Sequence, residues 1–335
     1  MRAVLFTGPG KFEVVELDDP TPGPQDVVVS VVASGICGTD LHILSGELGH
    51  SFPFVPGHEF SGEVVEVGKA VTSLRVGDQV AVDPGIPCNE CAACRMAAVN
   101  QCSNRQGFGE TRNGGAAEYV VTPASNAIKI PLNLSPLDAA LVEPVACAVH
   151  GLDALAGVMG SHVLVYGAGT MGLILTQLLA QSGAASVATV DRDPDRAREA
   201  LRFGAQSVGA STRELGRAQG WDIVVEATGN ADVVAAALGD LATCGRLLLF
   251  GMASPQARSV FAPFDVFDRE IRIIGTKSYL YSFERSIDIL AAGTLDLDRL
   301  VSHRLPLEDY GRAIALLRDG AGRKIQLAPS GQGLR

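Results

Sequence analysis

The chain has 335 residues, more than one hydrophobic core comfortably serves, so two domains are expected. Hydrophobic residues make up 47% and charged residues 19%, which excludes a disordered chain, and no apolar run reaches the length of a membrane span. The net charge of −10, with no basic patch to offset it, excludes nucleic acid and anionic membrane as partners.

The N-terminal stretch Met1–Val15 carries no apolar signal core, which predicts a cytoplasmic location. Up to about Ser125 the chain is rich in Val, Gly and Pro. Short β-branched runs such as Asp26–Ala33 and Gly62–Val67 predict many short strands. The run Asp138–Leu155 has no Pro after Pro144 and predicts one long helix leading out of this first part.

The pattern then alternates. Strands are predicted at His162–Tyr166, Ser186–Val190, Asp222–Glu226, Arg246–Phe250 and Ile271–Gly275, with helices at Leu173–Gln181, Pro194–Phe203 and Ala231–Leu241. Such alternation builds stacked βαβ units and a doubly wound parallel sheet of the Rossmann type. Phe283–Ala292 and Glu308–Arg318 read as amphipathic helices, and Ser330–Arg335 as a small polar tail.

Gly167-Ala168-Gly169-Thr170-Met171-Gly172 follows the apolar strand and runs into the helix at Leu173. This is the dinucleotide fingerprint in its setting. The first glycine permits a tight turn, the second lets backbone approach a pyrophosphate, and the third lets helix and strand pack closely. The helix N-terminus favours the phosphate charge. Asp191 ends the next strand, about 20 residues on, where a ribose-binding acid belongs. It favours NAD over NADP. Arg192 and Arg196 keep NADP open, since a nearby Arg can host a 2′-phosphate.

Of seven cysteines, Cys88, Cys91, Cys94 and Cys102 form a C-x2-C-x2-C-x7-C lobe. Four thiolates in one loop close a tetrahedral, structural shell around Zn²⁺. Similar runs also hold iron–sulfur clusters, although Ser103 stands where a Pro commonly follows the last Cys. Apart from this lobe stand Gly35-Ile36-Cys37-Gly38-Thr39-Asp40-Leu41-His42, then Pro56-Gly57-His58-Glu59, then Glu143-Pro144. Singly these have ordinary structural uses: a buried thiol, a core histidine, a first-turn helix acid. Together they offer Cys37, His58 and one or two carboxylates, a mixture that suits a catalytic zinc with an exchangeable position. Thr39 and His42 add a hydroxyl and an imidazole suited to moving a proton.

On these residues, with Gly57–Gly62 and Gly77-Asp78-Gln79-Val80, the chain resembles the zinc-containing medium-chain alcohol dehydrogenases, and within them the sorbitol (polyol) dehydrogenase branch. The resemblance implies a β-rich GroES-like catalytic domain at 1–148, to which 282–335 returns, and a Rossmann domain at 149–281. It implies two zincs per chain, with Cys37 and His58 as direct ligands of the catalytic one, joined by Glu59 in polyol-type members. Glu143 stands where other branches place a ligating Cys, and which of the two acids is the third ligand stays open. Asp40 would orient His58, Thr39 would take the substrate proton, and His42 would relay it. Gly167, Gly169, Thr170, Met171, Gly172, Asp191, Arg192, Arg196, Phe250, Gly251, Met252, Lys277, Ser278 and Tyr279 fall where relatives contact the nicotinamide cofactor. Polyol enzymes carry an Arg–Tyr pair near the substrate; here Ser278 replaces the Arg beside Tyr279, which argues against sorbitol itself.

The expected activity is oxidation of a secondary alcohol, a polyol or sugar derivative, to a ketone with NAD. Alternatives are a simple secondary alcohol, an NADP-linked carbonyl reductase, and a non-catalytic binding protein on the same scaffold. The last would have lost Cys37, His58 or the glycine loop, and a zinc-free quinone reductase would lack Cys37, His58 and the lobe. A homodimer or homotetramer is expected through an edge strand around Ile271–Lys277.

Overall fold

The structure, a computed structural model, describes residues 1–334; of the polar tail, Arg335 lies outside the described residues. The chain divides into two compact units, one built from Met1–Ala146 together with the chain from Leu280 onward, the other from Cys147–Tyr279.

The first unit is organised by the strand Asp26–Ile36. Val27, Val29 and Val31, alternate residues of this strand, lie on one face and are buried with Phe60, Val64, Val80 and Val82. The sheet runs in the order Val301–Leu305, Lys324–Leu327, Asp26–Ile36, Glu59–Val67, Gln79–Val82, Ala127–Lys129, with Tyr119–Pro123 pairing beside Asp26–Ile36 as well. A second core gathers Phe6, Ile36, Ile43, Phe54, Tyr310, Ile314 and Ile325. Strands Val301–Leu305 and Lys324–Leu327 are short and lay outside the predicted elements, as did the N-terminal hairpin Arg2–Gly8 with Lys11–Glu16. The single helix expected over Asp138–Leu155 is instead two, Pro136–Ala139 and Val142–Ala154. Ser135 caps the first with Pro136 in its opening turn, and Pro144 falls in the first turn of the second, where proline is tolerated.

The second unit is a six-stranded sheet in which every pairing is parallel. Its order is Ser207–Gly209, Ser186–Val190, His162–Tyr166, Trp221–Glu226, Leu241–Leu249, Arg272–Gly275. In chain order that is 3-2-1-4-5-6, the dinucleotide-binding arrangement. The order reverses beside His162–Tyr166, so ligand space opens at the carboxyl ends of that strand and its neighbours. The strand Leu241–Leu249 begins earlier than Arg246, and within it Cys244 takes a left-handed φ of 60° ahead of Gly245 where the register with Trp221–Glu226 shifts. No helix among the described residues is long and apolar enough to cross a membrane.

Candidate active site

Cys37 follows the strand Asp26–Ile36 and caps the short helix Gly38–Leu44. A capping box closes this turn: Asp40 Oδ2 accepts from the Cys37 backbone N–H at 2.8 Å. That bond swings the Asp40 carboxylate inward, so its other oxygen lies 3.7 Å from His58 Nδ1. His58 and Glu59 lead into the neighbouring strand Glu59–Val67, whose first residue pairs with Gly35. Cys37, His58 and Glu59 thereby bring their donor atoms within 4.8 Å of one another.

The setting is nearly dry. Asp40 is 2% exposed, His58 6%, Glu59 1% and Lys324 3%. Burial raises the Asp40 carboxyl above its ordinary range. Burial pulls His58 down, but its hydrogen bond to Cys37 and the charges of Asp40, Cys37 and Glu143 outweigh that and carry it well above the usual imidazole value. The pocket therefore favours a positive charge where the ring stands. His58 Nδ1 and Asp40 Oδ1 are buried without a hydrogen-bond partner, so ring and acid are set for a further bond between them. A cysteine, a histidine and a carboxylate in an anion-rich pocket fit a divalent zinc. Glu143 lies in the first turn of the helix Val142–Ala154 and acts on His58 and Lys324 by its charge, outside the group of three close donors.

Thr39 Oγ1 lies 3.6 Å from Cys37 Sγ. His42 sits one turn on, its Nδ1 2.6 Å from Glu47 Oε2. A carboxylate on Nδ1 favours the tautomer with its proton there, which leaves Nε2 as the acceptor.

Sequence reading missed Lys324. Its ammonium donates to both Glu59 oxygens, at 2.7 and 2.5 Å, and to the Ile36 carbonyl at 3.2 Å. The only sequence signal is a lysine inside a four-residue alternating run, Lys324–Leu327, and nothing local names its partner.

The lobe draws Cys88, Cys91, Cys94 and Cys102 to within 4.8 Å, the scale of a tetrahedral zinc shell whose sulfurs sit about 3.8 Å apart. Backbone N–H groups of Cys94 and Ser103 lower the Cys91 thiol to about 5, while burial and the neighbouring sulfurs push Cys94 up to about 12. One thiolate forms readily and the next is resisted, a conflict that a bound cation removes.

In the second unit, Gly167 turns at φ 99° and Gly169 caps the helix Thr170–Gln181. Gly172 packs so close to this loop that a Cβ would collide with the Gly167 carbonyl. A cavity of about 450 Å³ is lined by Gly167, Gly169, Asp191, Arg192, Arg196 and Thr228 among others. Asp191 is held by backbone: Ala168 N–H donates to Oδ2 at 2.8 Å and Asp193 N–H to Oδ1 at 3.0 Å. Arg196 Nε lies 3.9 Å from Asp191 Oδ2. Thr170, Met171 and Gly172 form the first turn behind the loop and do not line this cavity. Phe250, Gly251 and Met252 follow Leu241–Leu249, and Lys277, Ser278 and Tyr279 follow Arg272–Gly275; these are carboxyl ends of the same sheet, beyond the cavity wall. Gly251 packs against Gly229, Met252 is exposed, and Ser278 turns at φ 56° ahead of buried Tyr279.

The family described as "Alcohol dehydrogenase GroES-like domain" matches residues 23–132, and that described as "Zinc-binding dehydrogenase" matches 170–292. The chain is 37% identical to D-altritol 5-dehydrogenase of Agrobacterium fabrum, over 92% of this chain and 94% of the relative. It is 34% identical to D-arabinitol dehydrogenase 1 of Uromyces fabae, over 98% and 97%. A crystal structure of a zinc-binding dehydrogenase from Sinorhizobium meliloti 1021, bound to NADP, superposes with a TM-score of 0.94 at 35% identity, covering 98% of this chain and 99% of that one. A family described as zinc-binding favours zinc over an iron–sulfur cluster for the lobe, whose four sulfurs could hold that ion. With its glycine loop, its four-sulfur lobe and its Cys–His–Glu pocket, the chain belongs to the zinc-containing medium-chain alcohol dehydrogenases.

Proposed function

We propose that this enzyme oxidises a secondary alcohol carrying a neighbouring hydroxyl, a polyol or sugar derivative, to the ketone with NAD. The observation that carries the reading is the donor set of half-buried Cys37 with buried His58 and Glu59, one sulfur with nitrogen and oxygen. Oxygen donors make a harder site than a pair of thiolates does, and such a site suits oxygen-rich substrates. The relatives named for altritol and arabinitol agree with it. We read 1–148 with 282–335 as the catalytic domain and 149–281 as the dinucleotide domain.

Cys37, His58 and a carboxylate, Glu59 or Glu143, would hold the catalytic zinc, and Cys88, Cys91, Cys94 and Cys102 a structural one. Zinc bound there would supply Lewis acidity at the alcohol oxygen, and a nicotinamide cofactor would supply the hydride acceptor. Thr39 takes the hydroxyl proton as it gives up its own, and His42 accepts a proton at Nε2 while releasing the one on Nδ1 toward Glu47. Asp40 keeps the His58 ring in register through the same carboxylate that caps the Cys37 turn.

The substrate reading is tested by kcat/KM for a simple secondary alcohol against its vicinal-diol analogue. The diol should be preferred by about tenfold or more, since a polar site left unpaired rejects an alkyl analogue. A higher value for the simple alcohol leaves only the dehydrogenase class standing.

Asp191 favours NAD, because its carboxylate would repel a 2′-phosphate. Arg192 and Arg196 on the same cavity support NADP as the second reading. Asp191→Ser should move the NADP/NAD ratio of kcat/KM up on the order of tenfold, the effect of removing about 1.4 kcal/mol of repulsion. A wild type that already prefers NADP would show that the arginines dominate.

A homo-oligomer, dimer or tetramer, is supported by the edge position of Arg272–Gly275 and by exposed Val260, Phe261, Phe264, Phe267 and Ile273 in the same unit. Light scattering should give a multiple of the chain mass; a stable monomer at working concentration refutes the assembly.

A further inference from the structure

Three adjacent strands, Lys324–Leu327, Asp26–Ile36 and Glu59–Val67, meet at the pocket. Gln326 pairs with Gly35, and Gly35 with Glu59, so these three share a face; Lys324, two residues from Gln326, is on that face too. Lys324 and Glu59 belong to strands separated by a whole strand, a span of about 9.6 Å. They touch because the residue between them is glycine: a Cβ at Gly35 would collide with Glu59 Oε2. The side chains therefore join across a gap in the middle strand. The ammonium engages both carboxylate oxygens at 2.7 and 2.5 Å, almost wholly out of water.

The same carboxylate supplies an oxygen within 4.8 Å of Cys37 Sγ and a His58 ring nitrogen. Two electrophiles thus claim one carboxylate. We propose that Lys324 is a positioning residue that competes with the metal for Glu59, making Glu59 a releasable ligand. This rests on the reading of Cys37, His58 and Glu59 as a zinc site. A carboxylate has about four lone-pair sites, and the ammonium occupies one on each oxygen. It also neutralises the carboxylate charge and places a cation beside the dication, and both effects weaken the Glu59–metal bond. The metal is left electron-poor, with a position that a substrate oxygen can take.

Release of zinc to a chromogenic chelator tests this on the whole chain, without reference to turnover. The lobe zinc serves as internal reference. Lys324→Met should slow release of the pocket zinc by about tenfold or more, the size of effect that groups bonded to metal ligands exert. Lys324→Arg, which keeps the cation, should release at close to the wild-type rate. Glu59→Gln/Lys324→Met should differ from Glu59→Gln by much less than Lys324→Met differs from the wild type, because Lys324 acts chiefly through that carboxylate and only its bare charge remains when the carboxylate is gone. The double variant leaves no unpaired buried charge, and in Glu59→Gln the ammonium keeps the Ile36 carbonyl and the new amide oxygen as acceptors, so this comparison stands even if Lys324→Met alone does not fold. Release from Lys324→Met at or above the wild-type rate overturns the inference, and so does a Lys324 effect as large in the Glu59→Gln background as in the wild type. If the wild type holds only as much zinc as Cys37→Ser, the zinc reading of the pocket has failed, and the inference with it.

Discussion

Cys37→Ser should cut the zinc content from two per chain to one and lower kcat/KM on the order of a thousandfold or more. A serine hydroxyl stays protonated at neutral pH, so the pocket loses its anionic sulfur. The Lewis acid it holds is worth several kcal/mol in the transition state, and each 1.36 kcal/mol is a factor of ten. The fold should survive. Cys37 is half-buried at the end of a strand, and the capping bond to Asp40 comes from its backbone N–H, which serine keeps. The four-cysteine lobe lies elsewhere in the sequence and retains its own zinc. Elemental analysis, circular dichroism and steady-state rates on one preparation check all three parts. Two zincs with wild-type turnover would remove Cys37 from the metal site.

Gly172→Ala should be the most damaging single-methyl change in the dinucleotide unit. The added carbon meets the Gly167 carbonyl, a backbone atom within the glycine loop, so no side-chain rotation relieves it. Helix Thr170–Gln181 must move off the strand His162–Tyr166, which costs about 3 kcal/mol at the upper end of overpacking effects. A loss of this size lowers Tm by about 10 °C. Moving the helix N-terminus off the phosphate site should also weaken NAD on the order of a hundredfold, about 2.8 kcal/mol. Gly239→Ala is the matched control. That glycine ends the helix Ala231–Gly239 with nothing within 4 Å of a new Cβ, and alanine there should stabilise by about 0.4–1 kcal/mol. Equal Tm and equal NAD affinity in the two variants would mean that the helix does not sit tightly on the loop.

The dinucleotide unit is legible in the sequence because its signals are local. His162–Tyr166, the glycine loop and Asp191 lie within one strand–helix–strand stretch, and each residue type has a single mechanical reason to be there. The break between Pro136–Ala139 and Val142–Ala154 was legible too, in Ser135-Pro136 and Pro144, but hydrophobic continuity across Ala140 and Leu141 masks it. The metal pocket is only half legible. Cys37, Asp40, His58 and Glu59 stand in short motifs that suggest ligands. Lys324 lies 265 positions from Glu59, in a strand of four residues, and a lone lysine there has no mark to set it apart from a surface one. Register across three strands and the bare Gly35 decide the contact, and a one-residue slip would turn Lys324 to the opposite face. The open choice between Glu59 and Glu143 has the same origin: charge-bearing groups meet through the sheet, not along the chain.

The catalytic unit is discontinuous, and its sheet takes Lys324–Leu327 as a neighbour of Asp26–Ile36 only after the whole dinucleotide unit has been made. On the ribosome, at about 5–20 residues per second, roughly 13 to 53 seconds separate Glu59 from its lysine. During that interval Cys37, His58 and Glu59 can gather while Glu59 has no ammonium partner. A nascent chain that captures zinc then would bind it through an uncontested carboxylate. The last strand then brings the ammonium to that carboxylate, so the order of synthesis sets when Glu59 gains its buried partner.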